Sequence, residues 1–216
     1  MNVYELIAPV MRHFRLRRMA TFAEKFALTS STRVLDVGGT PFNWLLSPVR
    51  PRVTLLNNEA EPVDREKIPA DMEYVVGDAR RLPFANDSFD IVYSNSVIEH
   101  VGGFGAQRDF AREISRVGRR FYVQTPHRYF PVEPHLMTPL VHWLPRPLQR
   151  SLLPYATVWG WSHRMHERRW ADEAECAWYR NVRLLTASEV AQLFPTAQVV
   201  REQVAGLTKS LIAMQV

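Results

Sequence analysis

The spacing of apolar positions along the chain changes period twice. Over residues 4–28, Leu6, Val10, Phe14, Phe22 and Phe26 recur at near-helical intervals, which predicts a helix. Pro9 lies near enough to its start to be tolerated or to divide it in two. From Arg33 the texture becomes short and β-rich. Residues 33–37 (RVLDV), 52–56 (RVTLL), 73–77 (EYVVG), 90–94 (DIVYS) and 119–125 (RRFYVQT) each read as a strand. Before the last of these, residues 104–117 place Phe110, Ile114 and Val117 on one helical face. Strands that are apolar on both faces and joined by crossovers predict a mostly parallel sheet in an α/β fold.

Residues 126–180 break the rhythm. Pro131, Pro134, Pro139, Pro145, Pro147 and Pro154 punctuate the segment, and with the tryptophans Trp143, Trp159, Trp161, Trp170 and Trp178 they predict a partly helical cap inserted into the fold. The α/β pattern then resumes. Thr186 with Glu189 three residues on forms a capping-box signature. Two final runs joined through Gly206 read as strands antiparallel to each other. The expected organisation is an N-terminal helical segment over 1–29, a Rossmann-like core over 30–125, the cap over 126–180 and completion of the sheet over 181–216.

Composition narrows this little. At 216 residues with 46% hydrophobic and 23% charged positions, the chain reads as ordinary globular material, with one domain favoured. One cysteine, Cys176, leaves no internal disulfide framework and no multi-cysteine zinc cluster, which suits a reducing cytoplasm. No apolar run reaches the ~18 residues of a membrane span. The N-terminal basic cluster follows the apolar residues, the reverse of a secretory signal. The formal charge of +5 is concentrated in Arg12, His13, Arg15, Arg17 and Arg18 and again in Arg164, His166, Arg168 and Arg169. Solvated helix faces are the favoured reading of both clusters, because no nucleic-acid motif accompanies them. For the N-terminal helix, a lid role or contact with an anionic membrane surface is the alternative.

Candidate chemistry collects at the ends of the strands, where open α/β sheets bind ligands. "VLDVGGT" carries Asp36 and then Gly38 and Gly39, which let the backbone turn sharply beside a ligand. After the second strand Glu59 is an acid able to accept both hydroxyls of a ribose. After the third, Asp78 is placed to take an adenine amino group. The fourth strand releases polar Asn95, Ser96, Glu99 and His100.

These residues resemble class I S-adenosylmethionine-dependent methyltransferases. The resemblance is carried by "VLDVGGT", "GDARRLPFANDSFDIVYSNSVIEHV" and the closing "LTASEVAQLF" and "GLTKSLIA", and it covers most of the chain. It is closest to the branch containing quinone-biosynthesis methyltransferases. It implies a seven-stranded, mostly parallel sheet flanked by helices, with the last strands antiparallel, and S-adenosylmethionine as cofactor. It further implies that Asp36, Gly38 and Gly39 surround the methionine part, Glu59 holds the ribose, Asp78 and Ala79 fix the adenine, and Asn95 lies beside the sulfonium. Two departures stand out. Gly38-Gly39-Thr40-Pro41 replaces the family's Gly-x-Gly-x-Gly, and the family's ribose acid aligns with Asn57, making Asn57 the rival of Glu59. A dehydrogenase would need a third glycine to seat a pyrophosphate on a helix N-terminus, where this chain has Pro41 and Phe42.

Methyl transfer to a hydroxyl also requires a base, for which His100 and His127 are the candidates, each weighed against a packing role. Arg128 and Tyr129, just past the fifth strand, are expected to contact a small acceptor that is aromatic, lipidic or glycosidic. Glu133, His135 and His142 match no metal-ligand signature, so no metal is expected. Two other readings remain. One is a noncatalytic S-adenosylmethionine-binding module, prompted by the irregular glycine loop. The other is a nucleic-acid methyltransferase, disfavoured because "SNSVIEHV" stands where base-amino methyltransferases carry an Asn/Asp-Pro-Pro-aromatic motif. The acceptor and the oligomeric state are not legible in the sequence.

Overall fold

The computed structural model describes residues 3–58, 68–133, 138–158, 160 and 182–216. A long helix α1 (Val3–Lys25) precedes strand β1 (Arg33–Val37) and a five-residue helix α2 (Pro41–Leu45). Strands β2 (Arg52–Asn57), β3 (Met72–Val76) and β4 (Phe89–Asn95) follow, then helix α3 (Phe104–Val117) and strand β5 (Gly118–Pro126). A small hairpin of β6 (Val132–Glu133) and β7 (Thr138–Pro139), a 3₁₀ turn over Val141–Trp143 and helix α4 (Arg146–Ala156) make up the described part of the expected cap. Helix α5 (Ala187–Leu193) and strands β8 (Gln198–Val204) and β9 (Leu207–Gln215) complete the chain. Trp159, Trp161, Trp170, Trp178 and His135 lie outside the described residues.

The seven main strands form one sheet in the order β3-β2-β1-β4-β5-β9-β8. Pairs β3–β2, β2–β1, β1–β4 and β4–β5 are parallel, while β9 runs antiparallel to both β5 and β8. The seven-stranded, mostly parallel sheet with antiparallel last strands therefore has the expected form.

Alternation along the strands divides the core into two layers, because successive side chains point to opposite faces. Leu35, Val37, Val92, Phe121, Val123, Leu211 and Ala213 pack against Phe110, Ile114 and Val117 of α3 and Val190 and Leu193 of α5. On the other face, Val34, Val53, Leu55, Ile91, Tyr93, Tyr122, Ile212 and Met214 pack against Met19, Phe22 and Phe26 of α1 and Trp44 of α2. Phe22 is fully buried and centres an aromatic cluster, with ring centroids 4.9 Å from Tyr93 and Phe26 and 5.3 Å from Tyr122. Phe22→Ala should lower stability by roughly 3–5 kcal/mol, the usual cost of emptying a buried aromatic position. Urea unfolding of the two proteins checks this.

α1 is one helix through Pro9 and stops at Lys25, short of the expected end at residue 28. The chain turns at Ala27, whose φ is +47°; the Leu28 N–H bonds to Ala23 O and the Ala27 N–H to Glu24 O. This is a Schellman ending built on alanine, so the glycine that usually announces it is missing. α5 begins as expected, with Thr186 and Glu189 exchanging both capping-box bonds. Among the described residues, no helix is long and apolar enough to cross a membrane.

Candidate functional site

The parallel strands β1, β2, β3 and β4 end at a common cavity of about 800 Å³, within the usual ~300–1,000 Å³ of small-ligand sites. Its wall includes Gly38 after β1, Asn57 at the end of β2, Gly77, Asp78, Ala79 and Arg80 after β3, and Ser96, Val97 and His100 after β4. Five of the sequence candidates thus share one cavity: Gly38, Asn57, Asp78, Ala79 and His100. Glu59 lies outside the described residues. Asp36, Gly39, Asn95 and His127 are not among the lining residues.

Gly38 has φ +72°, which side-chain-bearing residues rarely adopt, and its N–H donates to Leu56 O at 2.7 Å. Asn57 Nδ2 donates to Gly39 O at 2.9 Å. Both glycines are therefore stitched to β2, and Asn57 spends a donor on shaping the loop. Asp36 shares the face of Val34, turned toward α1 and α2, and is buried beneath the loop. Its Oδ2 accepts a hydrogen bond from Trp44 Nε1 at 2.8 Å, while Oδ1 has no partner among the described residues. Burial pushes the Asp36 carboxyl up to about 7, with the Trp44 hydrogen bond opposing. A methyl group at Gly39 would fall on the Asp36 carboxyl, so glycine is required there for want of space.

Asp78 faces an arginine that the sequence reading did not single out. Arg80 Nη2 donates to Asp78 Oδ2 at 2.7 Å and Nε to Oδ1 at 2.9 Å; the Arg80 N–H reaches Oδ1 at 2.9 Å. These bonds hold the Asp78 carboxyl below the usual carboxylate range. Both side chains are half-exposed, so the pair contributes little to stability. The carboxylate still has acceptor sites for a ligand, having about four lone pairs. The two-residue spacing of Asp78 and Arg80 was the available signal.

Ser96, named in the sequence among the polar residues after β4 but given no ligand role, also lines the cavity. It adopts φ +59°, and β5 pins it twice: its N–H donates to Gln124 O at 3.0 Å and its Oγ to Gln124 Oε1 at 2.9 Å. A left-handed non-glycine residue on a cavity wall is a common form of local strain at binding sites. Its neighbour Asn95 accepts a hydrogen bond from Arg18 Nη1 at 3.1 Å.

A second cavity, of about 760 Å³, lies past β5 and takes in Arg128, Tyr129, Glu133, His142, Trp143 and Arg183. The segment 99–100 adjoins both cavities: the Arg183 N–H donates to Glu99 O at 2.8 Å, and His100 lines the first. His127 lies between β9 and Tyr129, with Nδ1 3.3 Å from Thr208 O, and burial lowers its pKa. No group of three or more potential metal ligands occurs among the described residues.

Comparison with known proteins bears on this site. The methyltransferase domain family matches residues 35–120, a span that takes in the end of β1, strands β2 to β4 and the residues lining the first cavity. No curated protein matches the chain in sequence. Among solved structures, a S-adenosylmethionine-dependent methyltransferase from Aquifex aeolicus is similar at TM-score 0.53 and 14% identity, over 91% of this chain and 88% of that one. The Burkholderia thailandensis 1,6-didemethyltoxoflavin-N1-methyltransferase, with bound 1,6-didemethyltoxoflavin and S-adenosylhomocysteine, is similar at TM-score 0.54 and 16% identity, over 93% and 76%. A Haemonchus contortus phosphoethanolamine N-methyltransferase in complex with S-adenosylmethionine gives TM-score 0.53 and 16% identity, over 86% of this chain and 38% of that one.

Proposed function

We propose, from the premise that this chain is a class I S-adenosylmethionine-dependent methyltransferase by domain and by fold, that its acceptor is a small molecule held beside the first cavity. The observation carrying this reading is the adjacency of two cavities, one ringed by the strand ends of the matched domain and the other formed by the residues past β5. The Burkholderia relative, which binds a small heterocycle with S-adenosylhomocysteine, supports the acceptor class.

The residues fit an adenosyl cofactor without a phosphate. α2 runs five residues and opens on Pro41, which has no N–H, so it offers a pyrophosphate little. Asp78 presents an ionised acceptor to an adenine amino group, and Gly77 and Ala79 leave room beside it. Ribose hydroxyls fall to Asn57 or to Glu59. Gly38 and Gly39 pass close to the methionine part, and Asp36 supports them from below. When bound, S-adenosylmethionine supplies a methyl group on a positively charged sulfur. The protein's part is then alignment, since correct placement alone is worth effective molarities of ~10⁵–10⁸ M. His100, on the wall of the first cavity, is the base for a hydroxyl acceptor. His127 is the alternative, and burial favours the neutral form of its imidazole. Arg128 and Tyr129, on the second cavity, are the acceptor contacts.

Incubation with methyl-labelled S-adenosylmethionine and fractionated cell extract tests this. Label should appear in the small-molecule fraction, and label confined to protein or nucleic acid would reject the acceptor class. Asp78→Ala and Glu59→Ala should each weaken S-adenosylhomocysteine binding about tenfold or more, one charged hydrogen bond being worth ~1.5–3 kcal/mol. Both should melt like the parent protein, and unchanged affinity in both would refute the placement of the nucleoside.

A further inference from the structure

α1 carries an arginine that the cofactor reading does not use. Arg18 sits on the second face of the sheet with its guanidinium largely buried, and it reaches three strands at once. Nε donates to Glu202 Oε1 at 2.9 Å and Nη2 to Glu202 Oε2 at 2.5 Å, a two-pronged ion pair with β8. Nη2 also approaches Ser210 Oγ of β9 at 3.4 Å, and Nη1 donates to Asn95 Oδ1 at the end of β4 at 3.1 Å. An arginine has no acceptor, so this contact fixes which end of the Asn95 amide faces α1. Glu202 is ionised to match, its carboxyl held low by Arg18 against the opposing effect of burial. Lys209 of β9 adds a second tie, its Nζ 4.0 Å from the ring of Phe14 in α1.

The Asn95 contact matters because of its place in the chain. Asn95 leads into Ser96, which lines the first cavity in a left-handed conformation, then Val97 and His100 on the same wall. Gln124 holds this turn from β5 through both Ser96 bonds, and Arg18 holds it from α1 through Asn95. A strained turn keeps its shape only when its surroundings over-determine it. Removing the Arg18 anchor lets the wall relax.

We propose that Arg18 is a positioning residue for the cofactor cavity, so that docking of α1 and binding of the adenosyl cofactor favour each other. This rests on the reading of the first cavity as the cofactor site. Favouring of this kind is reciprocal: if seating α1 tightens the cofactor, the cofactor must hold α1 down by the same factor.

Removing Arg18 alone would leave the partly buried Glu202 carboxylate without its ion-pair partner, with only Ser210 and Lys209 to offset the loss, and the resulting destabilisation would hide the effect. Replacing both partners of a buried ion pair by apolar residues is often neutral in stability. The informative variant is therefore Arg18→Met with Glu202→Met, compared with Glu202→Gln, which keeps the Arg18–Asn95 bond. Calorimetric titration with S-adenosylhomocysteine should show at least tenfold weaker binding for the double variant. Affinity in Glu202→Gln should stay within about threefold of wild type, and both should melt within a few degrees of it. A purely structural role would lower the melting temperature and leave the affinity of the folded protein unchanged. A folded double variant with wild-type affinity overturns the proposal.

The reciprocal arm needs only wild-type protein. Saturating S-adenosylhomocysteine should slow tryptic cleavage after Arg12, Arg15 and Arg17 in α1 at least fivefold. Equal rates with and without it, in a protein that binds it, also overturn the proposal. Wild-type protein that binds no S-adenosylhomocysteine refutes the cofactor reading instead, so the two failures are distinct.

Discussion

Replacing Asp36 with asparagine should flatten the pH dependence of stability and make the variant gain on the wild type as pH rises. In the unfolded chain this carboxyl titrates near its ordinary 3.8, whereas in the fold burial raises it to about 7. Between those values the folded protein keeps a proton that the unfolded chain has lost. Stability from this group is therefore fully present below about pH 4 and is lost as pH rises to about 7. The full difference is on the order of 4 kcal/mol, of which more than half falls between pH 5 and pH 8. Asparagine has no charge to desolvate and still accepts the bond from Trp44 Nε1. Urea unfolding of both proteins at pH 5, 6, 7 and 8 measures the difference directly. Taking the variant relative to wild type cancels the histidines and surface carboxylates that titrate in both. Parallel curves for the two proteins would contradict the burial argument.

Gly39→Ala should be among the most damaging single substitutions in the domain. The added methyl group would occupy the space of the Asp36 carboxyl. The loop cannot slide away cheaply, since Gly38 is bonded to Leu56 and the Gly39 carbonyl to Asn57. Overpacking and backbone displacement together should cost roughly 3 kcal/mol or more and abolish measurable S-adenosylhomocysteine binding. The cause can be isolated by Asp36→Ala, which clears the space. In that background Gly39→Ala should cost about 1–3 kcal/mol less than in wild type, a coupling expected only of groups in contact. Additive effects in the double-mutant cycle, read from urea midpoints, would show that the loop fails for another reason.

These two residues also mark the boundary of what the sequence discloses. The strands were legible as short β-rich runs between turns, and being apolar on both faces they pointed to a mostly parallel sheet; the seven-stranded order came from the family resemblance and not from alternation. The end of α1 was not legible, since Ala27 takes a conformation that glycine normally signals. Gly38, Asn57, Asp78, Ala79 and His100 fall on one cavity because short motifs at strand ends converge wherever parallel strands align. Asp36 reads identically to a ligand-facing acid along the chain. Its side chain instead turns under the loop to Trp44, a partner created only when α2 folds back. Arg80 was visible as a near neighbour of Asp78, but its bidentate grip depends on the turn after β3. The Arg18 network was beyond reach: its partners lie 77, 184 and 192 residues away and meet only when α1 packs across the sheet. No local pattern encodes that meeting.

The strand-end cavity is expected to accept an adenosyl cofactor without a phosphate. Calorimetric titration of the wild-type chain with S-adenosylhomocysteine and, separately, with NAD tests it most directly. One S-adenosylhomocysteine per chain with micromolar affinity, and no heat with NAD, is the predicted result. Binding of NAD alone, or of neither compound, would contradict it.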